Sequence, residues 1–146
     1  MQALFYYIFM AYKKHVGCPF TYALDIFGDK WSLIVLRDLI IFGKRTYKEF
    51  AGSGECIATN ILADRLCRLE EDGMISKKTD PDNRRSFIYS PTKKAADLLP
   101  MFFELVRWSG KYDSISKVPK KYMLQPKTTM KKLQKEIEKR FFSEWN

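Results

Sequence analysis

The chain has a single histidine, His15, and three cysteines, Cys18, Cys56 and Cys67, with no CxxC pair among them. A structural zinc site takes four Cys or His ligands at close spacings, so no metal is expected. An odd, sparse cysteine count fits a reducing cytoplasm better than a disulfide framework. Phosphate-cradling glycine loops are missing as well: neither GxGxxG nor GxxxxGKS/T occurs. No nucleophile–base arrangement stands out, and the one histidine precedes the main domain. The chain therefore reads as a non-enzyme without a cofactor.

Long apolar runs are scarce too. ALFYYIFMAY, residues 3–12, is the most apolar stretch, and it is about half the ~20 residues that a membrane-spanning helix needs. Lys13 and Lys14 follow this run, whereas a secretory signal carries its charge ahead of it, and no A-x-A-like cleavage site appears. Residues 1–16 are read as an apolar N-terminal helix covered by a partner subunit, because so much exposed aromatic surface would otherwise invite aggregation.

What is present is charge, of mostly one sign. The net charge is +9 with 29% charged and 46% apolar residues, which suits a globular protein with an anionic partner, either nucleic acid or a membrane surface. Residues 21–110 are nearly balanced, and the excess lies mostly in residues 111–146. Any nucleic-acid surface in the middle of the chain must come from local arrangement.

The order of elements is legible. TYALDIF forms a short helix up to Gly28, and in DKWSLIVLRDLIIFG the residues Trp31, Val35, Leu36 and Leu39 share one face before Gly43. Trp31 is expected in the core. Thr46 and Glu49 have capping-box spacing and open another short helix. After the turn GSGE comes IATNILADRLCRLEEDGMI, residues 57–75. At about 100° per residue, Leu62, Leu66 and Leu69 form its buried stripe. Asn60, Ala63, Asp64, Cys67 and Arg68 lie opposite. A hairpin follows, Ile75–Thr79 and Ser86–Ser90 around Asp80-Pro81-Asp82-Asn83 with Arg84 and Arg85. Thr92 begins a helix that Pro100 kinks or divides, and Met130, Leu133, Ile137 and Phe141 recur at helical spacing near the C-terminus.

This is the layout of a mainly α fold with a small β-hairpin (α+β), a winged helix-turn-helix with terminal dimerisation helices. In such folds the second helix of the pair enters the major groove by its N-terminal residues. That end must be slim and must offer hydrogen-bonding groups, and Asn pairs bidentately with adenine. Thr59 and Asn60 alone would equally suit a solvated helix cap; the basic hairpin 24 residues further on tips the reading towards DNA. Asp64 repels phosphate, so it either accepts from a cytosine amine or pairs with Arg68 at i+4, the pairing being favoured.

The chain also resembles the HxlR-type family of bacterial winged-helix transcriptional regulators. The likeness runs from GCPFTYALDIFGDKWSLIVLRDL through GKRTYKEF and IATNILADRLCRLEEDGMI, then across DPDNRRSFIYSPT to LLP and WSGKYD. It implies a DNA-binding domain at residues 17–113, between the N-terminal helix at 1–16 and a basic extension with a helix at 114–146. It further implies a cytoplasmic homodimer on palindromic, double-stranded operator DNA, with no membrane partner. By that likeness Thr59, Asn60, Ala63 and Asp64 read DNA, with Arg68 beside them, and Lys77, Arg84 and Arg85 are wing positions. The family often has a capping Ser at Ala58 and a Gly near Cys56.

Some members sense oxidants or electrophiles through a cysteine in the GCP segment, which makes Cys18 a candidate sensor of an oxidant or small-molecule effector. Lys13, Lys14 and His15 are near enough in sequence to lower its pKa; a small buried hydrophobe is the other reading of the same thiol. The rival to DNA binding is a winged helix that serves as a protein-binding adaptor.

Overall fold

The computed structural model of the chain describes residues 17–116 and 127–142. The expected helix at residues 1–16, with Lys13, Lys14 and His15, lies outside the described residues. In chain order the elements are α1 (Pro19–Phe27), α2 (Lys30–Ile40), α3 (Tyr47–Ala51), α4 (Thr59–Glu71), β1 (Ile75–Thr79), β2 (Phe87–Pro91), α5 (Lys93–Ala96), α6 (Leu99–Tyr112) and α7 (Lys127–Phe142).

Local sequence explains most of the boundaries. Asp29 caps α2 by accepting from the N–H groups of Trp31 and Ser32, each at 3.0 Å. Gly43 and Gly73, with φ of +72° and +68°, take the left-handed turns that follow α2 and α4. The Thr46–Glu49 capping box is fully formed at the start of α3. Pro100 stands in the first turn of α6, where its missing N–H costs nothing, and α5 has ended by Ala96.

Helices α3 and α4 form the helix-turn-helix, and β1 pairs antiparallel with β2 in the register Ile75 opposite Pro91 and Thr79 opposite Phe87. Thr46 adds an isolated bridge to Ile88, tying the start of α3 to the sheet. The core gathers Val35, Leu36, Leu39 and Ile40 of α2, Phe50 of α3, Leu62, Leu66 and Leu69 of α4, and Leu99, Phe102 and Phe103 of α6. Each fully buried leucine contributes roughly 1.5–3 kcal/mol relative to exposure.

Two details differ from the sequence reading. Trp31 is only half-buried, packed at the edge of the core with the Lys30 ammonium 4.7 Å from its ring centre, because its position in the first turn of α2 lies at the rim of the domain. The apolar stripe of α7, read as a dimer contact, is partly used within the chain: Ile137 is 2% exposed and belongs to the domain's own core. On α6, Leu105, Trp108 and Tyr112 remain exposed.

A buried carboxylate holds the turn region together. Asp38 is 1% exposed; it receives the Lys44 ammonium at 2.7 Å and the Arg37 guanidinium at 2.6 Å. The Ser53 hydroxyl also donates to it. Arg37 reaches on to Glu55 at 2.6 Å. This network links α2 to the turn that delivers the chain into α4.

Candidate nucleic-acid interface

Helix α4 is amphipathic in the sense the sequence implies. Leu62, Leu66 and Leu69 are buried, whereas Thr59, Asn60, Ala63, Asp64, Cys67 and Arg68 are exposed on one continuous face. The leucines pin the helix against α2 and so fix which side chains turn outward. Its N-cap is Ala58, which offers no side-chain bond to the first-turn N–H groups. Thr59 and Asn60 are therefore the first residues of the helix proper and do not cap it. The phenol of Tyr47 donates to the Thr59 carbonyl at 2.8 Å and holds this end against α3.

Charge on this face is locally balanced. Asp64 pairs with Arg68 at 3.0 Å, the i+4 contact favoured from the sequence. Arg65 also meets Asp64 at 2.8 Å and lies 3.0 Å from Asp29, so it staples α4 to the start of α2. Within Asp29, burial alone would raise the carboxyl pKa, but bonds from Ser32 and the nearby Arg65 bring it below the ordinary value.

The wing is built on side-chain turns. Asp80 accepts from the Asp82 N–H at 2.9 Å, and Asn83 bonds the Ser86 hydroxyl at 2.8 Å and the Arg85 N–H at 3.2 Å. Arg84 and Arg85 stand exposed at the tip that results. Between wing and α3 lies an open groove of about 490 Å³ whose lining includes Lys48, Tyr47 and Arg85. Lys77 is differently placed from the two arginines. It sits on β1, ion-paired with Glu70 of α4 at 2.7 Å and 5.2 Å from the Phe87 ring centre, and the Glu70 bond raises its pKa.

Residues missed in the sequence prove to position the site. Arg45 donates to the Tyr89 carbonyl at 2.8 Å and the Ser90 hydroxyl at 2.7 Å, so it anchors the root of the wing. Asp38 organises the turn before α4. A lone acid inside the apolar pattern LIVLRDLII was the available signal for Asp38; no spacing rule marked Arg45.

Cys18 is apart from this face, at the N-cap of α1. It is half-buried, and the N–H and hydroxyl of Thr21 stabilise its thiolate and lower the thiol pKa. Cys67, on the outward face of α4, is shifted the other way, chiefly by Glu71. Among the described residues no cluster of His, Cys, Asp and Glu could hold a metal ion, and no helix is long and apolar enough to cross a membrane.

Two short helices joined by a turn, the second outward-facing and flanked by a two-strand hairpin with a cationic tip, define a winged helix-turn-helix protein of the transcription-regulator class. The chain belongs to the HxlR-like helix-turn-helix family, whose model matches residues 26–117. The HTH-type transcriptional regulator YdeP of Bacillus subtilis is 35% identical over 103 residues, covering 70% of this chain and 80% of that protein. The solved structure of PA1607 superposes with a TM-score of 0.64 at 30% identity, over 73% of this chain and 72% of that one. The oxidised form of the redox regulator HypR superposes with a TM-score of 0.58 at 26% identity, over 67% of this chain and all of that one (100%). Helix α7 lies beyond the family match.

Proposed function

We propose that the chain is a cytoplasmic, homodimeric regulator that binds a palindromic operator in double-stranded DNA, with α4 in the major groove and the wing on the backbone or in the minor groove. The observation that carries this reading is the slim, exposed start of α4, with Thr59, Asn60 and Ala63 facing outward beside Arg84 and Arg85. Asn60 offers a donor and an acceptor to a base edge. Arg84 and Arg85 offer charge to phosphate. Asp64 and Arg68 act first on each other, and Lys77 acts first on Glu70, so these three shape the surface more than they read it.

Selection of bound duplexes from a random pool tests the reading: a recovered palindrome supports it. With that operator, Asn60→Ala should cost on the order of 1–3 kcal/mol and relax preference at one position. Arg84→Ala or Arg85→Ala should weaken all sequences evenly and flatten the salt slope by about one unit where the contact is to phosphate. If both classes of variant leave affinity and slope untouched, the surface is not for DNA and the adaptor reading replaces it. The exposed Leu105, Trp108 and Tyr112 support a second copy as partner; sedimentation of a monomer at micromolar concentration would remove the dimer.

The finer proposal of oxidant sensing rests on the lowered thiol of Cys18 and on the redox regulator among the structural neighbours. Cys18→Ser should preserve DNA affinity and abolish its response to a mild oxidant. An unchanged response would exclude the residue.

A further inference from the structure

We propose that α7 is a second DNA-binding element, whose outward basic face takes phosphates flanking the site contacted by the helix-turn-helix. The proposal rests on the DNA-binding reading above. Over residues 127–142 the chain has six Lys or Arg against two Glu. Lys131, Lys132, Lys135, Lys139 and Arg140 are all exposed, and none of them enters an ion pair among the described residues.

The rotation of this helix is set by packing. Ile137 is buried in the core, and the Phe141 ring lies 5.5 Å from the Arg45 guanidinium. At about 100° per residue, Lys131, Lys135 and Lys139 then lie opposite Ile137 and cannot be turned inward. The helix also lies against the helix-turn-helix, at the α2–α3 turn and at Arg45. A Cβ placed on Gly43 would be 3.5 Å from the Arg140 guanidinium, which puts that cation on the α2–α3 turn. Three residues later Thr46 caps α3, the first helix of the pair, which in this class crosses the DNA backbone. Lys48 and Arg85 line the groove between α3 and the wing. Arg140 thus adds a cation at the α2–α3 turn to those that Lys48 and Arg85 bring to the groove.

A basic amphipathic helix can instead lie on an anionic membrane, but that mode needs its apolar side free to enter the lipid. Here the apolar side is held by the chain's own core at Ile137. Phosphate contact through the basic side alone is what DNA provides.

The test compares the full chain with the variant Lys135→Gln/Lys139→Gln/Arg140→Gln, titrated over a salt series with the selected operator and with a random duplex. Each phosphate contact contributes about 0.9 to the slope of log affinity against log salt, so the slope should shrink by about one to three units. Affinity at 0.1 M salt should fall roughly 10- to 100-fold for both duplexes alike, leaving their ratio unchanged. The thermal midpoint should stay the same, and Glu136→Lys should raise both affinities. An unchanged slope in a chain that binds its operator would overturn the role of α7 alone. Loss of binding to phosphatidylserine vesicles with an unchanged DNA slope would overturn it in favour of a membrane. A chain that binds no duplex at all would remove the functional reading and this proposal together.

Discussion

The hydroxyl of Tyr47, in α3, donates to the main-chain carbonyl of Thr59, the first residue of α4, at 2.8 Å. One side chain thereby sets the distance between the two helices of the motif at the end that would meet a base pair. The bond is exposed, so Tyr47→Phe should cost about 0.5 kcal/mol, the low end for a hydrogen bond. Urea unfolding with an unchanged m value checks this. Operator binding should weaken by more than stability does, since a misplaced helix start affects every contact beyond it.

Asp38 should matter far more to stability. Its removal leaves the Lys44 and Arg37 cations without their shared acceptor and the Ser53 hydroxyl without the carboxylate to which it donates. Because both cations are part-exposed and can reach water, Asp38→Ala should cost about 2–3 kcal/mol, at or below the range for breaking a buried pair. Denaturant midpoints of the variant and of Lys44→Ala would show whether the carboxylate is the hub; equal losses would contradict that.

The turn before α4 contains two departures from ideal local chemistry, and correcting either should stabilise. Cys56 has φ of +56°, a left-handed conformation that costs a residue with a Cβ about 1–2 kcal/mol. Cys56→Gly relieves that strain and adds back chain entropy, for a net gain of about 0.5–1 kcal/mol. Ala58→Ser supplies a missing cap, worth typically about 1 kcal/mol. Thermal melts of the two single variants and the pair would test both the gains and their additivity.

Stability should fall in acid with identifiable contributors. The Arg45 N–H, with other bonds of the capping box, holds Glu49 below its usual pKa, and the Arg37 guanidinium does the same for Glu55. A depressed carboxyl favours the fold above its unfolded pKa and loses that contribution as pH falls through the lower folded value. The loss should therefore begin below the ordinary carboxylate pKa and be smaller in Glu49→Gln. Melting midpoints across an acid series, with the variant superimposing on the parent, would refute the assignment.

For Cys18 the sign is the same in kind. With Thr21 stabilising the thiolate, alkylation by iodoacetamide should reach half its limiting rate below the pH of an unperturbed thiol. Thr21→Val should move that midpoint part of the way upward, since the backbone N–H remains; an unmoved midpoint would remove the hydroxyl from the account.

The helices of this domain were legible because apolar spacing and local punctuation agree. Asp29, Thr46 and Gly73 each mark a boundary by their own chemistry, and Leu62, Leu66 and Leu69 set the rotation of α4 without help from distant residues. Exposure of Thr59, Asn60 and Ala63 followed from that rotation. What the sequence could not show depends on contacts distant along the chain. Lys77 is bound to Glu70 across an element boundary, Arg45 reaches over forty residues to the wing root, and Ile137 finds the domain core from beyond the family match. Trp31 packs at the edge of the core and not within it, because helical periodicity describes a face and says nothing of where the domain ends.

The uncapped beginning of α4 has a consequence for how the helix breathes. Its last turn is closed by the bond from the Met74 N–H to the Leu69 carbonyl and by the turn at Gly73, while no side chain holds the N–H groups of the first turn. Opening free energy therefore rises along the helix, and amide hydrogen exchange should run fastest at Thr59 to Ile61 and slowest near Leu69. The end that would face a groove is the end that frays most readily. Its amides remain open to an oxygen acceptor from outside, so a bound duplex would register as slowed exchange at those three positions before any change at the far end.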